Sequence, residues 1–260
     1  MPENPLILIS NDDGIDAPGL QALIDAVKDL GQVYVVAPDS PQSGMGHAIT
    51  VSEPLRLEKR DYFTEIPAYY STGTPADCVK LAVSVILKQK PDIIVSGINH
   101  GTNSSINAIY SGTISAAMEG AIEGVPGIAF SLISYSLESD FTASKKIVNS
   151  ITDKVINYSM PKFTLLNVNI PVGQSDEIKG TKVCRQANAK WEENFDERED
   201  PNGRKYYWLV GNFVNYDHGD DTDEWALKHN YVSIVPIHFD LTAYHAISYL
   251  NEIEDFGTTD

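Results

Sequence analysis

Unbroken apolar runs and helically spaced apolar positions alternate along the first two thirds of the chain. Leu6-Ile7-Leu8-Ile9 has no polar alternate, the pattern of a strand buried on both faces. Leu20, Leu23, Ile24, Val27 and Leu30 then recur at helical spacing up to Gly31, and Val33-Tyr34-Val35-Val36 is the next buried strand. Thr74-Pro75-Ala76-Asp77 marks a helix start: Thr74 is the N-cap, Pro75 the first helical residue and Asp77 the acid of a capping box. That helix carries Val79, Val83, Ile86 and Leu87 toward the core. The alternation continues through a strand at Ile93-Ile94-Val95, a helix from Ile114 to Ile122 and a strand at Ile128-Ala129-Phe130. A helix from Lys145 to Tyr158 follows, with Ile147, Val148, Ile151, Val155 and Ile156 as its apolar face, then the strand Leu165 to Ile170, stopped by Pro171. Repeated β-α-β units of this kind predict an α/β fold, Rossmann-like, with a mostly parallel sheet and helices on both faces. Such a sheet takes ligands beyond the carboxyl ends of its strands.

The texture changes after Val172, which divides the chain into an α/β core over 1–172 and a second part over 173–260. Lys182-Val183-Cys184 and Tyr206 to Val210 read as strands, with Asp200-Pro201-Asn202-Gly203 as a hairpin turn. Val232 to Pro236 returns to strand, and Leu241 to Ile253 is helix-like before fraying at Gly257-Thr258-Thr259. The second part is thus a β-hairpin arm, a returning strand and a terminal helix.

Charge narrows the range of partners. The 260 residues carry 19 Lys+Arg against 36 Asp+Glu, a net −17. A surface that negative repels phosphate backbones and anionic lipid, which argues against DNA or a membrane as the main partner. Eleven of the acids fall between Glu192 and Glu224 against three bases, so the arm reads as a solvated protrusion. At 42% hydrophobic and 21% charged, the composition is that of a globular chain able to bury a core. No window approaches the roughly 18 apolar residues of a membrane span. The start lacks a basic segment followed by a long apolar stretch, and Cys78 and Cys184 form no CxxC pair, so a reduced, cytoplasmic protein is expected.

The loops after the strands hold the chemistry. Ser10-Asn11-Asp12-Asp13-Gly14 follows the first strand, and adjacent carboxylates there are costly to ionise without a cation or hydrogen-bond donors. Taken alone, this loop reads equally as a turn, with Asp16 capping the next helix, or as a metal site. The second loop, Ala37 to His47, offers Ser43 beside Gly44; by itself it is a flexible loop, with His47 a polar loop residue. The third, Ser96 to Asn103, follows the Ile93 strand and offers Asn99 and Asn103. Ser111-Gly112-Thr113 opens a helix, where free N–H groups and the helix dipole favour an anion, although capping alone also accounts for Ser111 or Thr113. Together the carboxylates and the Ser and Asn oxygens suit Mg²⁺, Mn²⁺ or Ca²⁺ rather than zinc. There is no GxxxxGK[ST], no G-x-G-x-x-G and no G-x-S-x-G, which argues against a P-loop enzyme, a nicotinamide enzyme and an esterase. The six histidines show no HxH or HExxH spacing, which disfavours a histidine-rich dinuclear phosphatase.

These segments resemble the SurE (survival protein E) nucleotidases. The likeness is carried by Ser10-Asn11-Asp12-Asp13-Gly14 with Ala17-Pro18-Gly19, Ala37-Pro38-Asp39 with Ser43-Gly44, and Gly73 to Val79. It continues through Ser96-Gly97-Ile98-Asn99, Tyr110 to Thr113, Ala116 to Gly120, Asn167 to Pro171, and Thr222-Asp223 to Ile234, and so spans nearly the whole chain. The resemblance implies one divalent metal ion per subunit, Mg²⁺ or Mn²⁺, held by Asp12, Asp13, Ser43 and Asn99. It implies a phosphate pocket from Asn103, Ser111, Gly112 and Thr113, and a homodimer or homotetramer formed through the C-terminal arm. Gln42 and Ser105 depart from the resemblance, standing where many relatives have Arg and Gly.

The expected activity is metal-dependent hydrolysis of nucleoside 5′-monophosphates, with 3′-monophosphates and short polyphosphate as further candidate substrates. Asp12 and Asp13 are the expected catalytic residues: the metal polarises the phosphoryl group and acidifies a water, and Asp12 orients or deprotonates that water. One rival is a haloacid-dehalogenase-like phosphatase with an Asp nucleophile, which usually places Asp-x-Asp after the first strand, whereas here the acids are adjacent. A non-catalytic nucleotide or metal sensor and a scaffold built on the acidic arm are the others.

Overall fold

The computed structural model describes residues 4–61, 65–136, 138–158 and 160–253. The elements run β1 (Leu6–Ser10), α1 (Pro18–Val27), β2 (Gln32–Pro38), β3 (Leu57–Lys59), β4 (Ala68–Ser71) and α2 (Pro75–Leu81), which continues as a π-helical turn over Ala82–Leu87. Next come β5 (Ile93–His100), α3 (Asn107–Tyr110), α4 (Gly112–Ile122), β6 (Gly127–Leu132), α5 (Thr142–Asn157) and β7 (Thr164–Ile170). The remainder is β8 (Thr181–Val183), β9 (Ala189–Glu199), β10 (Lys205–Asn215), α6 (Asp223–Lys228), β11 (Val232–His238) and α7 (Tyr244–Asn251).

Among the described residues nine strands form one sheet in the order β3-β4-β2-β1-β5-β6-β7-β11-β8, parallel from β4 to β7, and β9 and β10 pair as a separate antiparallel ribbon. The apolar runs of the central strands are unbroken because both of their faces are covered. Ile7, Ile9, Val35 and Val95 face the layer of Leu20 and Leu23 from α1 and Val148 and Ile151 from α5. Leu8, Val36 and Ile94 face Cys78 and Val79 of α2 and Ala116 of α4. The chain first builds outward from β1 to β2 and β4, then crosses to β5 and builds the other way. The reversal lies between β1 and β5, where a parallel sheet opens a crevice at its carboxyl end.

Several expectations are corrected here. Asp16 caps nothing: α1 starts behind Ala17 without a side-chain cap, and Asp16 instead takes two hydrogen bonds from Arg60, at 2.6 and 2.9 Å. The helix after Thr74 is not regular throughout, because its second half widens into the π turn. Ser96 to His100 is not loop but the end of β5, whose register against β6 shifts between Ser96 and Asn99. Gly97 makes that shift possible, with φ +122° and a position where a Cβ would lie 2.3 Å from the Phe130 carbonyl oxygen; the Gly97–Ile98 peptide is cis. The returning strand expected from Val232 is β11; it and β8 lie in the main sheet, β11 running antiparallel to β7. The fray expected at Gly257-Thr258-Thr259 lies outside the described residues.

Both cysteines are free and buried. No described helix is long and apolar enough to cross a membrane.

The capping box at α2 forms in full: Thr74 Oγ1 accepts from the Asp77 N–H at 3.2 Å, and Asp77 Oδ2 accepts from the Thr74 N–H at 3.0 Å. The same Thr74 hydroxyl donates to the Ala48 carbonyl at 2.7 Å, so the cap also anchors the segment that follows the second loop. T74A is expected to lower the unfolding free energy by about 1–2 kcal/mol, read as a lower urea midpoint at unchanged slope.

Candidate active site

Asp12 and Asp13 leave the carboxyl end of β1, and Asn99 and His100 end the neighbouring β5. Asp12 is almost wholly buried. Its Oδ1 accepts from the Thr113 hydroxyl at 2.5 Å, in the first turn of α4. Burial raises its pKa to about 6, with the charge of Asp13 adding to the rise and hydrogen bonds from the Thr113 hydroxyl and N–H opposing it. Gly112 permits this approach, since a Cβ there would lie 2.7 Å from the Asp12 Cβ. Gly112 and Thr113 therefore bring the N–H groups of the first turn of α4 beside the carboxylate, as an anion site requires.

Asp13 is half-buried, and its Oδ2 faces the His100 N–H at 3.3 Å and the His100 Nδ1 at 3.4 Å. Asn99 donates through Nδ2 to the Gly101 carbonyl at 2.9 Å, which leaves its Oδ1 as the available acceptor. Ser10 Oγ, Asn11 Oδ1, Ser96 Oγ and His100 Nε2, on or directly after β1 and β5, are buried without a hydrogen-bond partner among the described residues. No group of three or more His, Cys, Asp or Glu side chains able to hold a metal exists among the described residues. The available donors are instead two carboxylates and neutral oxygens, a set that fits a hard divalent cation, and a cation there would relieve the cost of holding Asp12 and Asp13 ionised side by side.

The other expected residues fall into two groups. Ser43 is exposed on its loop, and no hydrogen bond ties its hydroxyl to Asp12, Asp13 or Asn99. The loop backbone is held close, because the Gln42 N–H donates to the Asp12 carbonyl at 2.7 Å and the Gly46 N–H to the Tyr110 carbonyl at 3.1 Å. Ser111 caps α4, its Oγ accepting from the Ile114 N–H at 3.1 Å. Asn103 is a brace: Nδ2 donates to Ser131 Oγ at 2.8 Å, its N–H donates to Asn169 Oδ1 at 2.8 Å, and its carbonyl accepts from Asn167 Nδ2 at 2.9 Å. One amide hydrogen of Asn103 is then left for a phosphate. Sequence reasoning gave no role to His100, Ser131, Asn167 or Asn169. The signal for the last two was present as polar residues at buried positions of a strand, side chains that must find partners.

Comparison with known proteins bears on this arrangement. The family model "Survival protein SurE" matches residues 7–193. The chain belongs to the SurE family. A "5′-nucleotidase SurE" from Christiangramia forsetii is 58% identical over 253 residues, covering 96% of both chains. One of the same name from Flavobacterium psychrophilum is 56% identical over 248 residues, 95% of this chain and 96% of that one. The crystal structure of the SurE protein from Aquifex aeolicus superimposes with a TM-score of 0.84 at 43% identity, covering 96% of this chain and all of that one.

Two further devices position the SurE site. Glu119 on α4 is buried and takes His47 Nε2 at 2.6 Å and Lys80 Nζ at 2.6 Å, which clamps the Ser43 loop to α4 and α2. Ser105 sits at φ +52°, in the left-handed region. Its hydroxyl faces the carbonyls of Ala187 and Ala189 at 2.9 and 2.8 Å and the Ala189 N–H at 3.1 Å. The buried carboxylate of Asp223 takes the N–H groups of Ser105 at 2.7 Å and Ala187 at 2.9 Å, so the base of the arm is tied to the segment after Asn103.

Two outcomes follow from these contacts. Burial disfavours the charge on Glu119, but the hydrogen bonds and charges of His47 and Lys80 outweigh it and hold the carboxyl below its usual 4.5. A depressed folded-state pKa stabilises above the unfolded value and is lost as pH falls through the folded one. E119Q should therefore lower Tm near pH 7 by about 2–4 °C, with the difference from the parent closing as pH drops below 4.5. At position 105, S105A keeps the left-handed backbone and strands the Ala189 N–H, whereas S105G strands the same group but relieves the backbone. Urea unfolding should rank S105G above S105A by about 1 kcal/mol, with both below the parent.

Proposed function

We propose that the chain is a metal-dependent 5′-nucleotidase that hydrolyses nucleoside monophosphates to nucleoside and phosphate. The observation that carries this reading is the buried Asp12 carboxylate set against the first turn of α4 at Gly112 and Thr113, beside Asp13 at the crossover between β1 and β5. An anion-binding helix end next to a cation-binding carboxylate pair is what a phosphate monoester and its metal together require.

Asp12, Asp13, Asn99 Oδ1 and, from the adjacent loop, Ser43 are the residues proposed to hold one Mg²⁺ or Mn²⁺. When bound, such an ion supplies Lewis-acid polarisation of the phosphoryl group and neutralises its charge. The Gly112 N–H, at the positive end of the α4 dipole, binds an equatorial phosphoryl oxygen, where charge grows in the transition state, while the Thr113 N–H and hydroxyl hold Asp12. Asp12, fixed by the Thr113 hydroxyl, orients the attacking water and accepts its proton. His100 positions Asp13 through its N–H, and Asn103 adds a donor from its braced amide. Self-association through the arm, as a dimer or tetramer, is supported by the large apolar side chains that β10 exposes from Tyr206 to Val210. Adjacent acids, rather than Asp-x-Asp, argue against a covalent aspartyl route.

Release of inorganic phosphate from a panel of nucleoside 5′- and 3′-monophosphates, with Mg²⁺ or Mn²⁺ and a chelator control, tests the reading. The expected result is metal-dependent release, with D12N and D13N each slower by roughly 10²- to 10⁴-fold. Metal-dependent nucleotide binding without release from any substrate would leave only a sensor.

A further inference from the structure

On the sheet face covered by α1 and α5, the helical cover ends before the sheet does. Val232 and Ile234 of β11 belong to that apolar layer, but among the described residues no helix past α5 supplies a side chain to it. What remains is a cleft of about 430 Å³, with α5 as one wall, β7 and β11 as its floor and the segment from Ser175 to Thr181 as the other wall. That volume lies within the range of small-molecule sites, about 300–1,000 Å³. Leu166 and Ile234 on the floor are only half-buried, although their strands are paired on both edges. The second wall is fixed to β11, because the Lys179 N–H donates to the Asn230 carbonyl at 2.9 Å and the Val232 N–H to the Gly180 carbonyl at 2.9 Å.

The charged groups around this cleft have one sign. Lys146 and Lys154 stand on the α5 wall with Ser150 between them, and neither Asp nor Glu lines the space, in a chain whose net charge is −17. Among the described residues the α5 lysine in an ion pair is Lys145, with Asp25 at 3.9 Å, and Lys146 and Lys154 have no such partner. Eight residues separate the two, about 12 Å along the helix, so a small anionic head meets one of them while the rest of its molecule runs along the floor. No aromatic ring lines the cleft, so a planar base has nothing to stack on. An aliphatic floor edged by unpaired ammonium groups suits a molecule with an apolar chain and an anionic end.

We propose that this cleft is a binding site for a single-chain aliphatic carboxylate of medium length: the chain lies against Leu166, Ile178 and Ile234, and the carboxylate accepts from Lys146 or Lys154. The negative surface of the protein keeps it away from an anionic bilayer, so the ligand is taken from solution. None of the lining residues belongs to the proposed reaction centre, and the site stands whether or not the chain hydrolyses nucleotides.

Isothermal titration of the full chain with hexanoate, octanoate and 1-octanol, each below its micelle-forming concentration, tests the site. The expected result is one saturable site per chain, with octanoate about 15-fold tighter than hexanoate for its two further buried CH₂ groups and 1-octanol weaker than octanoate. Lys146 and Lys154 are both exposed, so the double variant K146Q/K154Q should keep the parental Tm. It should weaken octanoate by roughly 3- to 10-fold and leave 1-octanol unchanged. S150W, at an exposed helix position on the wall, should fill the cleft and abolish binding of both ligands. Octanoate binding that survives S150W or is unaltered in K146Q/K154Q, equal affinity for octanoate and 1-octanol, many weak sites per chain, or no saturable binding at all would each overturn the proposal.

Discussion

Two neighbouring carboxylates at the end of a strand buried on both faces repel each other and are poorly solvated, and much of the surrounding structure answers that problem. The Thr113 hydroxyl and the first turn of α4 approach Asp12; the His100 backbone approaches Asp13. Gly112 has no side chain because none fits against Asp12. Burial of Asp12 creates an affinity for positive charge at a point where the sheet topology already opens a crevice, so the fold and the chemistry meet at one place.

A second layer holds the partners of that pair in place without touching it. Ser131, Asn167 and Asn169 on adjacent parallel strands fix Asn103. The Glu119 clamp and the α2 cap fix the loop that carries Ser43, at His47 and Ala48 respectively. Ser131, Asn167 and Asn169 lie at strand positions that a parallel sheet would otherwise fill with aliphatic side chains, and each is satisfied by the loop that carries Asn103. A site assembled from several separate loops needs such cross-links, because no one of the loops is rigid by itself.

How much of this could be read from the chain depends on the range of the interaction concerned. Leu6 to Ile9 and the Thr74–Asp77 box are governed by burial and by contacts three residues apart, and both stand as read. β3 and β4 left no apolar run to find, since Leu57–Lys59 and Ala68–Ser71 are short and partly exposed near the sheet edge. The helix α6 was hidden inside an acidic stretch, although Thr222 caps it and Asp223 and Glu224 occupy its first turn as the dipole favours. The π turn after α2 keeps the apolar pattern of a helix while departing from its geometry. In the site, the acids and the small residues at the start of α4 announced their chemistry, but the pairing of Asp13 with His100 depends on β1 lying next to β5, which no local pattern encodes. Asp16 shows the opposite error: a good capping residue next to a helix was drawn instead to Arg60, remote in sequence.

The antiparallel closure of the sheet by β11 has a consequence for the order in which the chain can mature. β7 emerges during synthesis with one edge paired to β6 and the other open, and its partner on that side comes only after the whole arm has been made. At ordinary elongation rates the delay over those roughly 60 residues is on the order of 3–12 seconds. Throughout that interval a row of backbone donors and acceptors on a hydrophobic strand stays available to any other extended segment nearby.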